Sequence, residues 1–225
     1  MKVKLIAKTI PEIEGVDDME ALVAYAARVS NPKNQLNTAT ADKLLGYCWK
    51  HKHWSVFETA SMTVEIETSR AIGEQIIRHR SFTYQIFSQR YSKALGFEPI
   101  NLRRQDTKNR QNSTDDLEGA VELQHRHSIE KLLEASEKVY NEMLADGVAK
   151  ECARMILPLT TQTRLYMTGN LRSWITYCIT RCGPETQLEH RLIGNECWKI
   201  LREQCPNIAK FVEAEYEYLR DVAAV

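Results

Sequence analysis

Cationic and hydroxyl side chains are concentrated in the stretch RHRSFTYQIFSQRYS at residues 78–92. Arg78, His79 and Arg80 are adjacent, and Ser88 and Arg90 follow them in the same stretch. A guanidinium group is planar and permanently charged, so it can bind phosphate oxygens in pairs. Residues 81–92 mix apolar and hydroxyl side chains without a regular period, which is typical of a loop that contacts a ligand. The stretch therefore predicts a binding site for an anionic ligand.

Arg78 and Arg181 could each have a purely structural role instead of binding a ligand. Glu74 precedes Arg78 by one helical turn, so these two side chains could form a surface ion pair. Arg181 stands just before Cys182-Gly183, where a helix-end arginine can bind backbone carbonyls.

Composition limits the classes of function. The chain has 225 residues, of which 43% are hydrophobic and 27% charged, as in an ordinary soluble protein. Lys and Arg total 30, as do Asp and Glu, so no global positive field exists and we expect no nucleic-acid partner. The apolar run near the start is too short for a signal peptide or a membrane span. We expect a cytoplasmic protein without a membrane partner.

Cysteine and histidine spacings do not form a metal motif. None of the six cysteines belongs to a CxxC pair, so buried free thiols in a reducing compartment are expected. Two H-x-H pairs occur, at residues 51–53 and 125–127, but side chains two apart on a helix do not converge. We predict no metal site.

Hydrophobic periodicity predicts many helices and few strands. Strands are expected at 2–10 and 61–68. Helices are expected at 19–30, 41–53, 69–80, 117–147 and 171–180. Three further helices are expected, namely a short one before Pro158, one that begins at a capping box at 186–189, and one after Pro206. Residues 101–116 are predicted to be a surface loop. The pattern indicates a single α+β domain over 1–225, with many helices packed around a small sheet.

Spacing within these helices makes finer predictions. Gln75 and Arg78 should share one side of the 69–80 helix. Arg172 and Thr176 are four residues apart, off the apolar side of the 171–180 helix, so both could reach one ligand. In the long helix the expected inward side chains are Leu132, Leu133, Val139 and Tyr140.

The triplet Arg78-His79-Arg80, followed after seven residues by Ser88, resembles the RHR-x7-S signature of the flavin-dependent thymidylate synthases. Further segments resemble that family in the same order along the chain. They are AARVS (26–30), HWSVFE (53–58), ECARMILP (151–158), TGNLRSW (168–174) and Arg181. The resemblance extends from about residue 3 to residue 205.

The resemblance implies a fold and a reaction. The fold is a small, mainly antiparallel sheet surrounded by helices. The reaction is a methyl transfer to dUMP that forms dTMP. The carbon comes from 5,10-methylenetetrahydrofolate, and FAD reduced by NADPH supplies the hydride. Members form a homotetramer whose active sites are shared between subunits.

The resemblance also implies site residues. The FAD-binding residues would be Ser30, Ser55, Glu58, Arg78, His79, Arg80, Ser81, Asn170, Arg172 and Thr176. The substrate-binding residues would be Gln75, Arg78, Ile86, Phe87, Ser88, Gln89, Arg90, Arg154 and Arg181.

Chemistry suggests roles for three of these residues. Arg181 is the expected catalytic residue, since a cation at the N3 and carbonyl edge would stabilise the ionised uracil ring. Ser88 is expected to donate to phosphate, because no Asp–His pair stands near it in sequence to activate it. Arg154 lies in an apolar segment, so it needs an anionic ligand or a carboxylate such as Glu151.

The sequence departs from the family pattern at several positions. Ile86 stands where members often have Glu, Thr176 where Asn is common, and Glu185 where some have His. We expect altered cofactor affinity from these changes.

Two other functions remain as alternatives. One is a non-catalytic nucleotide- or RNA-binding module that uses the arginines and the basic 103–110 segment. The other is a methylase whose nucleophile is a cysteine, for which Cys182 beside Arg181 is the candidate.

Overall fold

The structure is a computed structural model that describes residues 1–222. The described chain divides into two compact units, each made of segments that are separate in sequence. The central unit contains residue 1, 67–78 and 85–165, and the terminal unit contains 2–66, 79–84 and 166–222. The prediction of a single domain over 1–225 stays a prediction, and its last three positions lie outside the described residues.

The strands form one small sheet and one short ribbon. The strands are β1 (Lys2–Lys8), β2 (Ser61–Ser69), β3 (Thr83–Ile86), β4 (Arg104–Gln105), β5 (Ser113–Thr114) and β6 (Gln162–Asn170). The sheet has the order β1-β2-β6-β3, and β4 pairs with β5. Thr63 is hydrogen-bonded to Thr168, and Glu67 to Arg164. Residue numbers therefore increase along β2 in the direction in which they decrease along β6. These two strands are therefore antiparallel.

Within residues 1–222 the helices outnumber the strands, as the sequence predicts. They are α1 (Met19–Ala27), α2 (Ala41–Lys50), α3 (Arg70–Ile76), α4 (Gly119–Ala145), α5 (Lys150–Ala153), α6 (Leu171–Arg181), α7 (Leu188–Gln204), α8 (Pro206–Glu215) and α9 (Tyr218–Asp221). The predicted fold class, α+β with many helices around a small antiparallel sheet, is confirmed. None of the helices within 1–222 has both the length and the apolar composition needed to cross a membrane.

The core of the terminal unit lies between α6 and α7. Trp174 and Trp198 are completely buried, and their indole N–H groups donate to the carbonyls of Met62 and Leu219 at 3.1 Å. Gly194 allows α7 to approach α6 closely, because a Cβ there would lie 3.0 Å from the carbonyl carbon of Arg181. This packing fixes the C-terminal end of α6, where Arg181 stands.

Helix α3 is shorter than the predicted 69–80 helix. It ends at Ile76, so Arg78 and Arg80 lie beyond it and the expected helical face shared by Gln75 and Arg78 is wrong. The carbonyl of His79 accepts from the Tyr84 hydroxyl at 2.8 Å, a contact that belongs to a turn.

Three other local predictions are wrong. Thr186 donates to the carbonyl of Thr180 and does not cap α7, so the predicted capping box does not form. Leu132 and Val139 are 65% and 45% exposed, because α4 buries little beyond Tyr140. The 101–116 loop contains the β4–β5 ribbon.

Candidate functional site

A cavity of about 310 Å³ lies within the central unit. Five predicted substrate-binding residues line it, namely Ile86, Phe87, Ser88, Gln89 and Arg154. The remaining lining residues are Arg70, Gly73, Glu74, Ile77 and Thr163. The structure therefore brings together residues that lie far apart in sequence. Gln75 and Arg78 belong to the same unit but do not line this cavity.

Close packing of α3 on β6 forms one wall of the cavity. Gly73 faces Thr163, and a Cβ at Gly73 would lie 3.2 Å from the γ-methyl of Thr163. The backbone N–H of Arg70 donates to the carbonyl of Thr161 at 2.9 Å, which anchors the start of α3. A glycine inside a predicted helix is a sequence signal for such an approach.

Two hydrogen-bond donors in the cavity lining are buried without a partner. Within residues 1–222, neither Nε2 of Gln89 nor Nε of Arg154 has an acceptor. Glu151, the expected carboxylate partner of Arg154, instead pairs with Arg90 at 3.1 Å. Buried donors are nearly always satisfied in folded proteins, so these two atoms need an acceptor from a molecule that occupies the cavity.

A second cavity of the central unit, about 360 Å³, contains the predicted residue Arg90. Its lining also includes Ser88, Tyr91, Lys150 and Glu151. Ser88 therefore belongs to both cavities, and its hydroxyl can serve a ligand in either.

Arg181 makes a specific contact in the terminal unit. Its Nε donates to Nε2 of His79 at 2.8 Å, so the imidazole is neutral and carries its proton on Nδ1. The ring of Tyr177 packs edge-on against His79 with centroids 4.9 Å apart, and its hydroxyl bonds Nε2 of His190 at 3.1 Å. Sequence reasoning missed Tyr177 and His190, because no local pattern connects them to His79.

Burial keeps both histidines neutral. Burial lowers the pKa of His79 to about 4, and the neighbouring Arg181 cation contributes to that shift. Burial also lowers the pKa of His190 to about 3, with smaller contributions from Arg181 and His79. Both imidazole rings are therefore uncharged at neutral pH, whereas the guanidinium of Arg181 beside them is permanently charged.

These pKa values predict acid-dependent stability. Between about pH 6.5 and 4, histidines of the unfolded chain bind protons that His79 and His190 do not bind. The free energy of unfolding should therefore fall with falling pH, by about 1.4 kcal/mol per pH unit for each fully linked group. Urea unfolding at pH 7.5, 6 and 5 measures this slope.

A variant isolates the contribution of His79. His79→Gln removes one titrating group and keeps an acceptor for Arg181, so its slope should be smaller. Exposed Ser128 on α4 provides the control, since Ser128→Ala removes no titrating group and should leave the slope unchanged. Identical slopes in the wild type and His79→Gln would contradict the assignment.

Most residues predicted to bind FAD lie on the exposed side of α6 or on segments of the terminal unit packed near it. Asn170 caps α6 by accepting from the N–H of Ser173, whose hydroxyl donates to the carbonyl of Ser81. Arg172 bonds Glu58 at 2.5 Å, and the hydroxyl of Thr176 donates to the Arg172 carbonyl.

The remaining predicted FAD residues are placed as follows. Ser55 is exposed on the 3₁₀ segment Trp54–Glu58, and Arg80 is exposed without an ion-pair partner among the described residues. Ser30 lies in a separate groove with Arg28 and Thr40, which none of the other predicted FAD residues lines. Arg78, in the central unit, is exposed and also has no ion-pair partner within 1–222.

The described residues contain no cluster of three or more His, Cys, Asp or Glu side chains able to hold a metal ion.

Comparison with known proteins identifies the family. The model of the family described as thymidylate synthase complementing protein matches residues 5–207. A probable flavin-dependent thymidylate synthase of Paramecium bursaria Chlorella virus 1 is 50% identical over 214 residues, which cover 95% of this chain and 99% of that relative. The flavin-dependent thymidylate synthase of Synechocystis is 48% identical over 216 residues, covering 95% and 100%.

A solved structure shares the fold. The UMP/dUMP methylase PolB from Streptomyces cacaoi, bound with 5-Br dUMP, superimposes with a TM-score of 0.82. The match covers 95% of this chain and 94% of PolB. Because the sequence identity is 22%, the match supports only the similarity of the folds. The family match and the two close relatives carry the assignment: this chain belongs to the flavin-dependent thymidylate synthases, a family of methyltransferases.

Proposed function

We propose that this chain methylates dUMP to dTMP. The carbon donor is 5,10-methylenetetrahydrofolate, and the hydride donor is FAD that has been reduced by NADPH. The observation that carries the proposal is the cavity of the central unit, whose lining holds two buried donors without partners among residues 1–222. An oxyanion such as the phosphate of a nucleotide is the kind of ligand that satisfies such donors.

The cavity residues have distinct tasks toward dUMP. Arg154 offers a buried N–H and a positive charge, and Ser88 offers an exposed hydroxyl. Ile77, Ile86 and Phe87 add an apolar rim suited to the faces of a sugar and a pyrimidine. Ile86 is 45% exposed, so the carboxylate common at this position in the family is replaced here by apolar surface.

The terminal unit fits a flavin nucleotide. FAD carries a pyrophosphate, and the exposed guanidinium of Arg80 has no ion-pair partner among the described residues. Arg172 and Thr176 are exposed on one side of α6, and Asn170 caps its start. The chain contains no GxGxxG loop, so charged side chains must take the place of a Rossmann phosphate site. When bound, the flavin supplies the hydride that completes the new methyl group.

Arg181 is proposed to activate the nucleotide. Uracil C5 becomes nucleophilic when the ring is ionised at N3, and a guanidinium at the N3 and carbonyl edge stabilises that anion. The contact from its Nε to His79 orients the side chain and leaves the Nη nitrogens without partners among the described residues. Because His79 is neutral, it orients Arg181 without adding a second positive charge.

Assembly and surroundings complete the proposal. We propose a cytoplasmic homotetramer with shared active sites, as in the family, that binds dUMP and a folate and no nucleic acid. The basic 103–110 segment gives little support to RNA binding, because Arg104 is paired with Asp116 at 3.4 Å and with Glu118 at 3.9 Å. A cysteine nucleophile is also not favoured, because Cys182 is only 5% exposed.

The bound flavin gives the first test. Purified protein should be yellow, and NADPH added without oxygen should bleach the flavin absorption, because the proposed reaction needs a reduced flavin. Absorption spectra before and after NADPH measure this. A colourless protein that cannot be reconstituted with FAD would contradict the proposed function.

A further inference from the structure

Arg70 determines which way the carboxamide of Gln89 faces. Nη1 of Arg70 donates to Oε1 of Gln89 at 2.6 Å. A guanidinium has donors only, so the amide oxygen must face Arg70 and the amide nitrogen must face away from it. The flipped amide would set two donors against each other, so the contact assigns the orientation by chemistry.

The amide nitrogen that faces away from Arg70 is buried in the cavity lining. Gln89 is 4% exposed and lines the cavity of about 310 Å³, and Nε2 has no acceptor within residues 1–222. Nε of Arg154 is buried in the same lining and also has no acceptor there. Leaving a buried donor unpaired is costly, so both nitrogens require an acceptor from a molecule in the cavity, which a bound ligand can supply.

The lining fits an oxyanion better than a base edge. Gln89 and Arg154 present N–H donors, and Ser88 adds a hydroxyl that can donate. The oxygens of a phosphate dianion only accept and carry negative charge, whereas the edge of uracil places an N–H donor between its two carbonyls. Glu74 is the one carboxylate among the lining residues, and it is exposed, so solvent screens its charge.

We propose that Arg70 is a positioning residue that turns the amide N–H groups of Gln89 toward the phosphate of the nucleotide substrate. The inference rests on the proposed function and deepens it, by assigning Gln89 to the phosphate and giving Arg70 a role. Arg70 is the first residue of α3, and its backbone hydrogen bond to Thr161 fixes the point from which its side chain reaches Gln89.

Ligand binding to the flavin-loaded enzyme tests the proposal. Arg70→Met should weaken dUMP binding about tenfold, the size of one lost hydrogen bond to a charged group. Binding of deoxyuridine, which lacks the phosphate, should change by less than about twofold. Arg70→Lys keeps a donor for Oε1 and should fall between the wild type and Arg70→Met. Inorganic phosphate should compete with dUMP less effectively in Arg70→Met than in the wild type.

A double-mutant cycle separates positioning from direct contact. If Arg70 acts through Gln89, adding Arg70→Met to Gln89→Met should weaken dUMP binding by less than about twofold more. Additive losses would show that Arg70 itself contacts the phosphate and would overturn the proposal. Equal losses for dUMP and deoxyuridine in Arg70→Met would also overturn it, because they indicate a structural or base-contacting role.

Two substitutions of Gln89 keep the test valid if Arg70→Met does not fold. Gln89→Met removes the donor, and Gln89→Glu replaces it with a negative charge. Both should weaken dUMP binding selectively, and Gln89→Glu should give the larger loss because its carboxylate repels the phosphate. Equal dUMP binding in both variants and the wild type would overturn the inference. Failure of the proposed function is a different result, in which the wild-type enzyme itself does not bind dUMP.

Discussion

Arg181→Ala is expected to lower kcat for dTMP formation by about 10²–10³-fold, the usual effect of removing one donor that stabilises a developing anion. Bound flavin and overall stability should be largely retained. Arg181 is half-buried at the end of α6, and its Nε donates to His79. The measurement is single-turnover formation of dTMP, alongside flavin content and the midpoint of thermal unfolding.

A second readout reports on the same arginine independently of turnover. Arg181 is the second cause, after burial, of the low pKa of His79, so its removal should raise that pKa from about 4. NMR titration of the imidazole measures the change. Arg220→Ala, on an exposed arginine of α9, is the matched control and should alter neither turnover nor the titration. Near-normal turnover in Arg181→Ala would remove Arg181 from the mechanism.

Gly169→Ala should destabilise the protein by about 1–3 kcal/mol, as overpacking of a well-packed core does. A Cβ at Gly169 would lie 2.4 Å from Cδ1 of Phe82, closer than any tolerated contact. The ring of Phe82 is 7% exposed and packs edge-on against Trp174 with centroids 4.9 Å apart, so it cannot move aside freely. Because Phe82 follows Ser81 directly, its displacement should also weaken flavin binding.

Urea unfolding and flavin titration measure both effects. Adding Phe82→Leu should restore part of the lost stability, because a smaller side chain makes room for the new methyl group. Gly119→Ala is the control, since a Cβ there would meet nothing within 4 Å. Equal stability of Gly169→Ala and the wild type would show that the ring of Phe82 does not exclude a side chain at position 169.

Local sequence patterns predict some elements well and miss others. Alternation marks β2, and Asp18 accepts from the N–H of Ala21 at the predicted start of α1. Strand β6 is missing from the predicted elements, although Leu165 and Met167 alternate with less buried residues along it. Strand β3 lies inside the signature stretch, where the mixture of apolar and hydroxyl side chains obscures the period.

In the candidate site, sequence patterns predict individual residues but not the contacts between them. The signature predicts Ser88 and Gln89, and both line the cavity. The contact between Arg70 and Gln89 joins residues 19 apart, and that between His79 and Arg181 joins residues 102 apart. No periodicity links such positions, because only the folded chain brings them together.

Transfer of labelled carbon tests the central claim most directly. The flavin-loaded enzyme would be incubated with dUMP, NADPH and 5,10-methylenetetrahydrofolate carrying ¹³C in its methylene group, and the nucleotide would be analysed by mass spectrometry. The proposed function predicts dTMP with the label in its methyl group, formed only when all three substrates are present. Recovery of unchanged dUMP from enzyme whose flavin is reduced by NADPH would contradict it.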